Sequence, residues 1–278
     1  MISSTIARYG ALVRWKLAKY FSVRTNSVLC PACGDPTRMI GKNARFPLVK
    51  CETCGHASVA HMPHDEELRL LYDGLRYWRD DKRHQGICSF TEGDWTGYLA
   101  PRLHSIYTLA GFADGTPKSV LEIGCSEGRL LAELKKHGHD VLGYECNADL
   151  AARGSSTFGV TIVGAGFTAA QVVGQSFDLV LAYHTLEHVA NVARMVEDIA
   201  LSLNPDGKAV IELPLETVYD NPDHVHFFTH ESIRALFGRY FQDIILHPNG
   251  FKDSHGNYIG SVYVVTSSPK RCVASAGK

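Results

Sequence analysis

The stretch Ser119-Val-Leu-Glu-Ile-Gly-Cys-Ser-Glu-Gly-Arg-Leu-Leu131 decides the fold. It runs from five residues suited to a buried strand, through a turn carrying Gly124 and Gly128, into an apolar helical pattern. Glycine in such a turn lets the backbone pass close to a ligand, and the helix behind it presents amides that have no acceptor within the helix. A cofactor is therefore expected at this turn. A dinucleotide pyrophosphate would call for G-x-G-x-x-G, whereas glycine stands only at 124 and 128 here, behind the acid Glu122.

Outward from this turn, short strand-like runs alternate with helical patterns. Strand-like runs fall at Ser119–Ile123, Val141–Glu145, Thr161–Val163, Phe177–Ala182 and Lys208–Leu213, and helical ones at Leu130–Lys136, Leu150–Phe158 and Val192–Leu201. This rhythm predicts an α/β fold, a doubly wound and mostly parallel sheet with helices on both faces. Glu231–Phe237 reads as one more helix, entered through Thr229 or His230. Asp243–His247 and Tyr258–Thr266 read as a closing strand pair, bringing the sheet to seven strands.

The glycine turn resembles motif I of class I S-adenosylmethionine (SAM)-dependent methyltransferases, with Ser126 in place of the middle glycine. Two further segments carry the likeness over residues 118–267: Phe177-Asp-Leu-Val leading to Leu186-Glu-His-Val, and the turn Asn204-Pro-Asp-Gly-Lys. The resemblance implies a Rossmann-like methyltransferase sheet and SAM as cofactor. By that likeness, Glu122 and the backbone of Gly124, Cys125, Ser126 and Gly128 hold the methionine portion, and Glu145 at the next strand end takes the ribose hydroxyls. Tyr183 and His184 are then expected beside the sulfonium. The family's usual acid for the adenine amino group has no counterpart between Asp149 and Asp178, so packing against Phe167 is expected to take its place. Cys125 and Cys146 read as packing residues rather than nucleophiles.

A second motif lies ahead of this core. Cys30-Pro-Ala-Cys33-Gly and Cys51-Glu-Thr-Cys54-Gly repeat one knuckle, and the pair matches the spacing of tetrahedral structural zinc. Four thiolates close the coordination sphere, so Zn2+ here is expected to be structural, with His56 and His61 surplus to it. The expected organisation is a basic amphipathic helix at 1–27, the four-cysteine zinc module at 28–62, a helical cap or linker at 63–117, and the SAM-binding domain at 118–278.

Charge is unevenly spread. Residues 1–50 hold nine basic side chains against one acid, Asp35, while the whole chain carries a net charge of -1. A basic head on an acidic body suggests an anionic partner or a membrane-surface contact through the N-terminus. No apolar run is long enough to span a bilayer and no secretory signal is visible, so a cytoplasmic location, peripheral to a membrane through the first helix, is the expectation. Nucleic acid is the less favoured partner.

Methyl transfer to a hydroxyl needs alignment and, where the acceptor carries a proton, a base. Three histidines in Pro222-Asp-His-Val-His-Phe-Phe-Thr-His230 are candidates; His226 and His224 lead, with His184 beside the cofactor as a further one. A similar H-x-H-F-F-T segment occurs in methyltransferases acting on quinone precursors and sugars. The expected function is O-methylation of a small hydroxylated acceptor, such as a sugar or glycan precursor. An RNA base methyltransferase with a zinc-bearing head, and a non-catalytic protein of the same fold, are the alternatives.

Overall fold

The computed structural model describes residues 28–43, 45–72, 92–112, 115–116, 118–216, 218–219, 221–252 and 258–270. The basic amphipathic helix expected at 1–27 lies outside them. Among the described residues no helix is long and apolar enough to cross a membrane.

The main sheet has seven strands: β4 (Ser119–Ile123), β5 (Asp140–Tyr144), β6 (Thr161–Val163), β7 (Phe177–Tyr183), β8 (Leu203–Leu215), β10 (Phe241–Lys252) and β11 (Tyr258–Pro269). Their spatial order is β10-β11-β8-β7-β4-β5-β6. Pairing is parallel from β8 through β7, β4 and β5 to β6, and antiparallel from β8 to β11 to β10. The chain order jumps away from β4 on both sides, to β5 and to β7, so a crevice opens at the carboxyl ends of these strands.

Alternate side chains of the central strands point to opposite faces. Leu121, Ile123, Val180, Ala182 and Ile211 enter one core with helix α5 (Val192–Ser202) and helix α6 (His230–Phe237). Val120, Leu179, Leu181 and Val210 enter the other, with helix α2 (Glu92–His104) and helix α3 (Arg129–Lys136). Burial of each such leucine, isoleucine or valine side chain contributes about 1.5–3 kcal/mol. Helix α3 buries Leu130, Leu131 and Leu134 and ends on Lys135 and Lys136, which suit the negative end of the helix dipole. Helix α4 (Ala148–Phe158) starts on Asn147, whose side chain accepts from the Leu150 amide at 3.0 Å.

A second sheet, in the order β1-β2-β3-β9, is antiparallel throughout; β1 is Thr37–Lys42, β2 Pro47–Cys51, β3 Ala57–Val59 and β9 His226–Phe227. Its last strand belongs to the far end of the chain: Ala57 pairs with Phe227 and Ser58 with His226. Phe46, Leu48, Val59 and Phe227 share a small core with Leu68 of helix α1 (Asp65–Tyr72). A unit of this size cannot bury enough apolar surface by itself. It borrows a strand and core residues from the larger domain, so the two are joined through one sheet.

Candidate active site and four-cysteine centre

The glycine turn between β4 and α3 is held by its neighbour strand. The amides of Gly124 and Cys125 donate to the carbonyl of Tyr144, and the amide of Ser126 donates to the Glu145 carboxylate at 3.0 Å. Ser126 occupies the left-handed region at φ 55°, so a serine keeps the backbone shape that glycine would adopt freely. A β-carbon on Gly124 would run into the side chain of Thr185, which explains why glycine stands there. Glu145 also accepts from the Asn147 amide at 2.9 Å, linking the turn to the start of α4.

These groups form one wall of a cavity of about 480 Å3 at the carboxyl end of the sheet. Glu122, Gly124, Ser126, Glu145, Phe167, Tyr183 and His184 all border it, so seven of the nine expected cofactor residues meet at one place. Phe167 meets Tyr144 edge to face at 5.0 Å between ring centres, making an aromatic side to the cavity. Leu68 and Arg69 of α1 border it as well, so the helix that follows the cysteine motif contributes lining. Cys125 and Gly128 do not border it. Cys125 packs with Leu131 and Val160, and a β-carbon on Gly128 would lie 2.7 Å from Ile162 Cδ1, which makes both residues packing elements behind the turn.

A charged network underlies the cavity. His184, in the left-handed region at φ 49°, has Nδ1 3.3 Å from Glu187 and Nε2 3.5 Å from Glu212. Glu212 also accepts from Ser261 Oγ at 2.6 Å and Asn249 Nδ2 at 2.8 Å, with Arg102 at 3.9 Å. Burial alone would lower the His184 pKa, but the hydrogen bonds to Glu187 and Glu212 outweigh it and lift the imidazole to about 10. For Glu212, burial raises the pKa while the bond to His184 and the charges of His184 and Arg102 bring it down to about 2. His184 is thus a cation clamped between two carboxylates and is unsuited to be a base.

The other expected bases are placed differently from the sequence expectation. His226 is fully buried in β9; its Nε2 donates to the Val189 carbonyl at 3.0 Å and its Nδ1 lies 3.2 Å from His56 Nε2. Burial is the main cause that depresses its pKa to about 4. It stays neutral and joins the two sheets instead of facing the cavity. His224 is held between Glu216 Oε2 at 2.7 Å and Asn221 Nδ2 at 3.1 Å, and does not border the cavity. His230 opens α6 and is likewise absent from the lining.

His188 does border it, and sequence reasoning passed over it. It stands in the Leu186-Glu-His-Val segment already singled out, where a histidine just past the end of a central strand was the available signal. Its Nδ1 donates to the Asp223 carbonyl at 3.1 Å, and its ring meets that of His224 edge-on at 4.9 Å.

At the cysteine motif, Cys30 Sγ lies 3.5 Å from Cys54 Sγ and Cys33 Sγ 3.5 Å from Cys51 Sγ, and all four sulfurs lie within 4.8 Å of one another. A tetrahedral ion with metal–sulfur bonds of about 2.3 Å needs sulfurs about 3.8 Å apart, so this donor set fits one. Gly34 and Gly55, both left-handed, close each knuckle by donating to the carbonyls of Cys30 and Cys51. Thr229, the N-cap of α6, donates its hydroxyl to the Cys54 carbonyl at 2.7 Å.

A mostly parallel seven-stranded sheet, with a glycine turn and a strand-end carboxylate sharing one cavity, defines a doubly wound fold of the α/β class. The profile of the family described as "Methyltransferase domain" matches residues 95–240. The chain belongs to that family. It is similar to the ubiquinone biosynthesis O-methyltransferase of Agrobacterium fabrum, at 36% identity over 93 residues, covering 32% of this chain and 37% of the relative. To the protein of the same name from Azorhizobium caulinodans it is 31% identical over 104 residues, covering 36% and 41%. The matches thus span about two fifths of these curated relatives. Among solved structures, its fold is similar to magnesium protoporphyrin IX methyltransferase from Synechocystis, with bound SAM (TM-score 0.52, 14% identity, covering 75% of this chain and 99% of that one). It is also similar to 1,6-didemethyltoxoflavin-N1-methyltransferase from Burkholderia thailandensis (TM-score 0.50, 18% identity, covering 84% and 99%).

Proposed function

We propose that this methyltransferase O-methylates a small hydroxylated acceptor, a phenol or a sugar hydroxyl, in the cavity beside the glycine turn. The observation that carries this reading is that one continuous cavity is bordered by Glu145 and Phe167 as well as by His184, His188 and Leu68. Its volume of about 480 Å3 falls in the usual range for sites that enclose small ligands. The names of the two curated relatives, both O-methyltransferases, support the same direction.

When bound, SAM supplies a methyl group made electrophilic by its positive sulfur. Glu122 and the backbone of Gly124 and Ser126 hold the amino-acid end, Glu145 takes the ribose hydroxyls, and Phe167 with Tyr144 packs on the base. The clamped His184 cation fixes the cavity floor through Glu187 and Glu212. Alignment and exclusion of water are the main catalytic contribution of these residues.

Cys30, Cys33, Cys51 and Cys54 would hold one structural Zn2+. Their place beside Thr229 gives the ion the role of fixing the segment that carries His224 and His226. The basic residues ahead of the motif are assigned to surface contacts with an anionic partner rather than to catalysis.

Labelled SAM incubated with panels of catechols, phenols and sugar nucleotides, followed by product mass spectrometry, tests the reading. An added methyl on oxygen is the expected product. Label recovered only on RNA would overturn it.

A further inference from the structure

We propose that Thr185 is a positioning residue whose hydroxyl holds the glycine turn against the end of β7, an assignment that rests on the cofactor reading above. Thr185 borders the cavity and stands between His184 and the short 3₁₀ turn Leu186–His188. Its carbonyl accepts from the His188 amide at 3.1 Å, which makes it the residue that opens this turn. A threonine in such a place ordinarily caps the free amides behind it with its own hydroxyl. Here the hydroxyl makes no such bond. It lies instead 3.2 Å from the Ile123 carbonyl and 3.1 Å from the Tyr183 carbonyl, sharing its one proton between the ends of two neighbouring strands.

Those two carbonyls flank the point where the sheet opens. The ladder between β4 and β7 ends at Glu122 and Leu181, whereas β4 keeps its register with β5 as far as Ile123 and Tyr144. Beyond that last pair the crevice of the switch point begins, and the Thr185 hydroxyl spans it from the Ile123 carbonyl to the Tyr183 carbonyl. The same side chain presses on the turn itself: a β-carbon on Gly124 would lie 2.4 Å from Thr185 Oγ1 and 3.0 Å from its Cγ2. On the other side, the His184 amide donates to the Glu212 carbonyl at 3.1 Å and ties the end of β7 to β8. His184 is left-handed at φ 49°, a conformation that persists only where the surroundings hold it.

One hydroxyl therefore sets the spacing between the turn assigned to the cofactor and the cavity floor at His184. In methyl transfer the attacking atom, the methyl carbon and the sulfur must line up, and a misplacement of about 1 Å can cost about 10²-fold in rate. Thr185 serves this alignment through the two strand ends, without acting on the reacting atoms.

Two variants of the zinc-loaded full chain test the assignment. Thr185→Val is close to isosteric and removes the donor, whereas Thr185→Ser keeps it. In the valine variant, hydrogen-exchange mass spectrometry is expected to show faster amide exchange at residues 123–126 and 183–185. Its calorimetric affinity for S-adenosylhomocysteine is expected to fall about tenfold, while the serine variant stays within about threefold of wild type. With any acceptor that the enzyme methylates, kcat of the valine variant is expected to fall about 10²-fold, with acceptor KM changed less than about threefold. Exchange and affinity equal to wild type in the valine variant would overturn the assignment. So would a serine variant as impaired as the valine one, or exchange raised evenly over the whole sheet. Wild-type protein that takes up no S-adenosylhomocysteine sinks the cofactor reading instead, and the exchange measurement then decides by itself whether the hydroxyl holds the two strands.

Discussion

The amide of Ser126 donates to the carboxylate of Glu145 across 3.0 Å, tying the glycine turn after β4 to the end of β5. The strained serine and the carboxylate it faces thus border one cavity. If Glu145 holds the ribose, Glu145→Ala removes charge-assisted hydrogen bonds worth about 1.5–3 kcal/mol. Calorimetry is expected to show S-adenosylhomocysteine affinity falling about 10–100-fold. Affinity within twofold of wild type would place the ribose elsewhere.

Gly154 sits inside α4, where alanine would ordinarily stabilise a helix by about 1 kcal/mol. Packing decides otherwise: a β-carbon there would lie 2.7 Å from the Glu127 carbonyl carbon, a backbone atom of the cofactor turn. Gly154→Ala is therefore expected to cost about 1–3 kcal/mol of stability and to weaken S-adenosylhomocysteine binding, read by denaturant unfolding and calorimetry. A stabilised variant would show that the turn yields to α4.

The His184–Glu212 pair makes stability depend on pH. The His184 pKa is raised to about 10, so its contribution is complete below about 6.5 and is lost as pH rises through 10. Glu212 is depressed to about 2, so its contribution is present above about 4.5 and is lost as pH falls toward 2. Glu212→Gln leaves Arg102 and His184 without this carboxylate and is expected to destabilise by about 3–5 kcal/mol at neutral pH. The gap in melting temperature between wild type and variant should narrow at both extremes; a gap that is constant with pH would refute the charged pair.

Zinc at the four cysteines is expected at one ion per chain by elemental analysis. Cys54 carries the carbonyl that accepts from Thr229, and β3 pairs with β9. Chelation should therefore raise amide exchange at Val225–Thr229 as well as within the knuckles, read by hydrogen-exchange mass spectrometry. Exchange confined to residues 28–62 would mean that the cysteine unit is not coupled to the segment.

Much of the sheet was legible because its signals are local. The run Thr161–Val163 is the strand as read, and Phe177–Ala182 gains only Tyr183. The closing pair was visible, but β10 and β11 run to Lys252 and Pro269, beyond the apolar runs that marked them, because backbone pairing continues past the buried side chains. Cys125 and Gly128 were assigned to the cofactor because sequence marks a turn as a unit; only packing shows which side of it faces the cavity.

The histidines were the part that spacing misdirected. His224 and His226 are two residues apart, but only His226 lies in β9, where pairing to β3 sets it beside His56, while His224 precedes the strand and bonds Glu216. His188 borders the cavity, and its Nδ1 is held by a carbonyl thirty-five positions away in the chain.

The amino-acid sequence by itself determined the strand–turn–helix that makes a nucleoside site, the acid at the next strand end, and the four thiols at metal spacing, since each depends on residues close in the chain. The tertiary structure decided which histidines border the cavity, that His184 sits between Glu187 and Glu212, and that the cysteine unit completes its sheet with β9. Those outcomes arise from burial and hydrogen bonding between segments far apart in sequence, where the partner sets the protonation state and direction of a side chain.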